Sequence, residues 1–179
     1  WVNLDKPREL GSTTAVAAVR RTFDAKKAGH AGTLDPLASG ILPVALGEAT
    51  KTVQFMQAAH KNYEVRLRWG AATQTDDVEG EIIETSNNRP SAHDILAALP
   101  HFTGDIMQTP PAYSAIRKDG LRAYKLARAG ESVELAPRPV RIDAITLIDS
   151  ASPDACTLQV VCGKGVYIRS FVRDLALYL

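Results

Sequence analysis

Apolar positions near the start of the chain recur at helical spacing. Ala15, Val16, Ala18 and Val19 predict a helix over residues 15–23, with Ser12 and Thr13 placed to cap it and a basic last turn suited to the helix dipole. Residues 41–46 form a short apolar run that predicts a strand. Pro43 inside it has no N–H to give a ladder, so an edge or irregular position is expected. A helix over 48–58 follows. From Asn62 to Trp69 the period changes to two: Tyr63, Val65, Leu67 and Trp69 alternate with Asn62, Glu64, Arg66 and Arg68, predicting a half-buried strand with one apolar and one basic face. Residues 79–85 predict another strand, and Ser91-Ala92-His93-Asp94 has the form of a capping box opening a helix to Leu99.

Beyond Pro100 the pattern loosens. Gln108-Thr109-Pro110-Pro111 reads as a break, residues 112–117 as strand-like, Lys118-Asp119-Gly120 as a turn, and 122–129 as a short basic helix stopped by Gly130. An insertion at about 107–135 is therefore the expected mobile appendage. Residues 140–148 and 155–162 predict paired strands joined by the turn cluster 150–154, and Tyr167, Ile168, Phe171, Val172, Leu175 and Leu179 predict a closing amphipathic helix. The fold class expected is α+β, a mixed and mostly antiparallel sheet flanked by helices. The chain begins without Met and stops within a helical pattern, so a fragment of a longer protein is expected.

At 179 residues the chain can bury one sizeable core without a metal or disulfide staple. No stretch approaches the roughly 18 apolar residues of a membrane span, and a cytoplasmic, monomeric protein is expected. Cys156 and Cys162 share a strand face with Leu158 and Val160, which predicts core thiols. The four histidines are scattered, so no metal site is expected. Net charge is only +1, but it is segregated. Residues 1–75 carry ten Lys/Arg against six Asp/Glu, 76–110 one against seven, and 111–141 seven against three. Two basic zones divided by an acidic one suit a polyanion partner on one face, or a solvated surface.

The segment Gly29-His30-Ala31-Gly32-Thr33-Leu34-Asp35-Pro36-Leu37-Ala38-Ser39-Gly40 carries the candidate chemistry. Its glycines permit close backbone approach, and Asp35-Pro36 biases the acid away from the α region, so a single carboxylate is aimed rather than trailing in solvent. Plain loop punctuation has a similar composition. Other chemistries fit poorly. A phosphate loop needs Gly-Lys-Ser/Thr where Gly47 is followed by Glu48, no Gly-x-Ser-x-Gly elbow exists, and the acidic cluster Asp76-Asp77-Glu79 reads as a solvated turn.

Four elements remain in order: Asp5-Lys6-Pro7, the Asp35 loop, Lys61-Asn62-Tyr63, and Gly163-Lys164-Gly165-Val166-Tyr167-Ile168-Arg169. Together they resemble the TruB family of tRNA pseudouridine synthases. One departure is that Gly11 follows Asp5-Lys6-Pro7 one or two places later than is usual. The resemblance implies the pseudouridine-synthase fold, no cofactor, and the tRNA T-arm as partner, with uridine 55 of its loop as substrate. It implies that Asp35 acts at the ribose, that Arg169 orients that carboxylate, and that Tyr63 stacks on the flipped uracil. His30 would fill the gap left by the flipped base. Lys6 and Lys61 would contact RNA, as would Tyr113, Arg117, Lys118 and Arg122 of the insertion, read as a thumb, and Tyr167. A catalytic domain over 1–179, incomplete at its C-terminal end and without the family's small RNA-binding domain, is the implied organisation. A guide-RNA-dependent, dyskerin-like synthase and an RNA chaperone remain as rivals.

Overall fold

A computed structural model describes residues 1–118 and 120–179; Asp119, in the turn predicted with Lys118 and Gly120, lies outside the described residues. The chain divides into two units, Trp1–Ala59 and His60–Leu179.

In the first unit, β1 (Val2–Lys6), α1 (Ser12–Thr22), β2 (Ala28–His30) and β3 (Gly40–Leu46) precede a 3₁₀ segment at Gly47–Thr52 and a short α2 (Val53–Ala58). The sheet order is β1-β3-β2, antiparallel throughout, with Val2 opposite Val44, Lys6 opposite Gly40 and His30 opposite Val44. Ala15 and Val19, one turn apart on α1, pack on Leu42 and Val44, while Leu34 closes the edge of this core.

Three expectations change here. Gly11 is the residue at the N-terminal boundary of α1 and no side chain caps it; Ser12 is buried and bonded elsewhere. The strand bearing Pro43 is central, not at an edge. It is tolerated because the Pro43 carbonyl accepts from Ala31 N, so the missing donor falls on the β2 flank, just past the last ladder pair. The helix expected over 48–58 is broken into two kinds. Thr50 and Thr52 hydroxyls donate to the carbonyls three residues back, Gly47 and Ala49, both at 2.8 Å, which favours the tighter 3₁₀ winding.

In the second unit, β4 (Lys61–Arg68) leads to the hairpin of β5 (Ala71–Thr73) and β6 (Ile82–Thr85), then α3 (Ala92–Ala98) and β7 (Gly104–Gln108). The strand expected over 79–85 is thus shorter. The Ser91–Asp94 capping box is present in both directions. A two-stranded ribbon, β8 (Arg117–Lys118) and β9 (Leu121–Arg122), runs into α4 (Ala123–Arg128). Residues 112–116 are turns and irregular backbone rather than the expected strand. Pro110 and Pro111 remove ladder donors, and the Ser114 and Ile116 carbonyls accept from Tyr124 and Ala123 of α4 instead.

Long strands β10 (Arg138–Asp149) and β11 (Ala155–Cys162) pair as expected, and α5 (Ile168–Tyr178) ends the chain. The four-stranded order is β4-β11-β10-β7. Every described ladder is antiparallel. Leu67, Trp69, Leu158, Val160, Ile95, Phe171 and Leu175 share one core, into which Cys156 and Cys162 also point. Burial of Phe171 and Leu175, one turn apart on α5, stabilises by about 2 kcal/mol each. The helix bearing Arg169 is therefore a fixed platform.

Candidate active site

The Asp35 loop is held at four points within its own unit. Ala31 is buried with its N–H on the Pro43 carbonyl. His30 Nδ1 is hydrogen-bonded to the Gly32 carbonyl, which holds the ring against its own loop. Leu34 is bonded in both directions to Ser12, the Ser12 hydroxyl donating to the Leu34 carbonyl at 2.8 Å and accepting the Leu34 N–H at 3.0 Å. The Pro36 carbonyl accepts from Glu9 N at 2.7 Å. Asp35 thus sits between two anchored neighbours, and its own carbonyl closes a turn with Ala38 N at 3.0 Å. Gly32 and Gly40, at φ 146° and 121°, take conformations that disfavour any side chain.

Lys6 departs from the phosphate-contacting role expected of it. The side chain is 0% exposed and its ammonium donates to the carbonyls of Pro7 at 2.9 Å, Leu10 at 2.7 Å and Pro36 at 3.4 Å. Burial pushes its pKa down, and the charge of Asp35 pulls it back up. Lys6 is an internal strut of the loop with no surface to offer a phosphate. The later position of Gly11 is accommodated by residues 7–10 folding around this ammonium.

In the second unit, Tyr63 and Lys61 lie on β4 opposite Val160 and Cys162 of β11. Tyr63 is half-buried against the core. Burial lowers the Lys61 pKa, with Cys162 opposing and the Lys164 charge adding to the shift. The Cys162 and Cys156 thiols are themselves pushed up to about 11 by burial, so both are inert packing groups at neutral pH.

Helix α5 gathers the remaining residues. Arg169 donates to the Thr75 carbonyl at 2.9 Å and the Tyr113 carbonyl at 3.0 Å, and lies 3.8 Å from the Asp77 carboxylate. One turn on, Arg173 pairs with Asp76 at 3.1 Å and donates to the Thr109 carbonyl at 2.8 Å, which also accepts from Ser170. Of the acidic turn expected to be solvated, Asp76 and Asp77 are therefore half-buried beside arginines, while Glu79 is exposed as expected. Burial raises the Asp76 pKa, and Arg173 opposes that shift. Sequence alone hid this because an acidic turn and a helix roughly a hundred residues away carry no local sign of meeting. The one available signal is the i, i+4 spacing of Arg169 and Arg173, which puts two guanidiniums on one helix face.

Among the insertion residues, Arg117 and Arg122 are exposed and Lys118 is half-exposed. Arg117 faces Arg122 across the ribbon, so two cations are presented together. Tyr113 enters through its carbonyl, as the acceptor for Arg169. Tyr167 stands immediately before α5, gripped by Gln108, a buried residue that no sequence pattern singles out.

Solved structures share this arrangement of elements. The chain superposes on a crystal structure of a Cbf5-Nop10-Gar1 complex with a TM-score of 0.72 at 29% identity, over 99% of this chain and 44% of that one. A structure of an H/ACA RNP bound to a substrate RNA containing 2′-deoxyuridine gives 0.71 at 26% identity, over 99% and 42%. The fold is the α+β fold of the pseudouridine synthases. Residues 20–168 match the model of the TruB family pseudouridylate synthase N-terminal domain, and the chain belongs to that family. It is 57% identical over 175 residues to tRNA pseudouridine synthase B of Dinoroseobacter shibae, covering 98% of this chain and 58% of that protein. The protein of the same name from Bradyrhizobium diazoefficiens is also 57% identical, with 98% and 51% covered. The chain spans about half the length of these relatives.

Proposed function

We propose that this chain carries the catalytic residues of a tRNA pseudouridine synthase that converts uridine 55 of the T-loop to pseudouridine. The reaction breaks the N1–C1′ bond, turns the uracil, joins C5 to C1′, releases the C5 proton and leaves N1 to take one up, so atoms balance with no redox partner. The base must leave the stack to be reached. Asp35 is the carboxylate that acts at the ribose, either by attacking C1′ or by removing the C2′ proton to give a glycal. Arg169 orients that carboxylate, a role suited to a planar donor. Tyr63 stacks on the flipped uracil, and His30 fills the space it leaves. Lys61, Tyr113, Tyr167, Arg117, Lys118 and Arg122 contact the RNA, the insertion closing over it as a thumb. Lys6 is enclosed and makes no such contact.

The observation that carries this reading is the anchoring of both neighbours of Asp35, Leu34 by Ser12 and Pro36 by Glu9 and Lys6, around a single carboxylate. A catalytic acid needs such preorganisation; a connector does not. The tRNA-directed form is favoured over a guided one by the relatives' names at 57% identity, against 29% for the Cbf5 complex. The test is tritium release from 5-³H-uridine in a T-arm hairpin with no other RNA present. Release from the uridine 55 position supports the reading. Binding without release refutes turnover, and release only after a guide RNA is added favours the guided rival.

A further inference from the structure

The insertion leaves the sheet at Gln108 and returns at Arg138, and these two residues are register partners across β7 and β10. Both hold the same third residue. Gln108, 2% exposed, donates its Nε2 to the Tyr167 carbonyl at 3.2 Å and accepts the Tyr167 N–H at its Oε1 at 2.8 Å. Only one orientation of the amide satisfies both bonds, so the backbone of Tyr167 is fixed. Arg138 lies over the ring, its guanidinium carbon 5.1 Å from the centroid, and donates to the Gly165 carbonyl at 3.1 Å. Tyr167 is the residue before α5, and two residues later Arg169 reaches the Tyr113 carbonyl inside the insertion.

We propose that Arg138 is a positioning residue that sets the ring of Tyr167 and so couples the root of the insertion to the start of α5. Gln108 fixes where the Tyr167 backbone lies, but its bonds leave the side chain free to turn about χ1. The cation over the ring face removes that freedom, and the bond to Gly165 keeps the guanidinium itself from drifting. Any shift of the β7–β10 root then moves the Tyr167 ring with it. This inference rests on the proposed function for what the ring does, while the placement of the ring by Arg138 stands apart from it. Arg138 acts through Tyr167 and does not touch the substrate.

The test compares Arg138→Leu, which keeps bulk and loses charge, with Arg138→Lys, which keeps a cation able to sit on the ring. Single-turnover tritium release, hairpin affinity and the ring signal of Tyr167 in ¹³C-tyrosine-labelled protein, assigned with Tyr167→Phe, are read for each. Arg138→Leu is expected to slow single turnover about tenfold with the salt dependence of hairpin affinity unchanged and an altered Tyr167 ring signal, and Arg138→Lys to recover most of the rate and of the signal. An unchanged ring signal in Arg138→Leu would overturn the proposal. So would a loss of rate that follows Kd and salt dependence, which would make Arg138 a phosphate contact. The ring signal is independent of turnover. A wild-type chain that releases no tritium would therefore sink the proposed function, while the ring signal of Arg138→Leu would still decide whether Arg138 places Tyr167.

Discussion

The Ser12 hydroxyl and the Leu34 backbone are joined in both directions, at 2.8 and 3.0 Å, across 22 residues of sequence. One side chain thereby satisfies the donor and the acceptor of the residue that precedes Asp35. Ser12→Ala leaves both groups unpaired in a partly buried setting, and a loss of about 1–2 kcal/mol in urea unfolding is expected. The same variant should lower single-turnover tritium release more than it lowers hairpin affinity. An unchanged rate would show that the tether does not aim Asp35.

Lys6 and the insertion arginines separate in their response to salt. Lys6→Met deserts three carbonyls and should destabilise the fold by about 2–4 kcal/mol while leaving the slope of log K against log salt unchanged. Arg117→Ala and Arg122→Ala should each leave the melting temperature in place and flatten that slope by about one. Filter binding of the hairpin at several salt concentrations checks both.

Arg173 and Asp76 form a half-buried pair whose members are not equivalent. Asp76 already has a raised pKa from burial, partly offset by Arg173. Arg173→Met removes the offset and leaves the Thr109 carbonyl without one of its donors, at an expected cost of about 2–4 kcal/mol. Asp76→Asn relieves the desolvation and should cost less. Equal losses in urea unfolding would contradict this ordering.

Cys156 and Cys162 make stability sensitive to alkaline pH. Their thiols ionise near 9.0 when unfolded and near about 11 when folded. The folded chain therefore holds these protons longer. The contribution is complete below about pH 9 and is lost as pH rises towards 11. Stability should fall over that window, and less steeply in Cys156→Ala/Cys162→Ala measured against its own neutral-pH value. Iodoacetamide at pH 8 should label neither thiol until the chain is unfolded.

Much of this architecture is legible from spacing alone. The alternation through Tyr63, Val65 and Leu67 gives β4, the apolar runs give the β10–β11 pair, and the Ser91–Asp94 box marks the start of α3. What escaped depends on contacts distant in sequence. Ser12 has the composition of a cap, but its hydroxyl is taken by Leu34; Lys6 has the composition of a surface cation, but three carbonyls enclose it. Pro43 reads as an edge signal because nothing nearby tells which flank of the strand its missing donor faces. The turn at Asp35-Pro36 and the glycine conformations at Gly32 and Gly40 are legible because those residues carry their conformational demands with them. The grip of Gln108 and Arg138 on Tyr167 is not, since it joins segments 59 and 29 residues apart.

The central claim is that Asp35 is the reacting carboxylate. The most direct measurement is single-turnover tritium release from a 5-³H-uridine T-arm hairpin by Asp35→Asn, beside its hairpin affinity. The account predicts that affinity stays within about threefold of wild type while release falls by at least about 10³-fold, because a neutral amide neither attacks C1′ nor takes the C2′ proton. Release at the wild-type rate by Asp35→Asn would contradict it.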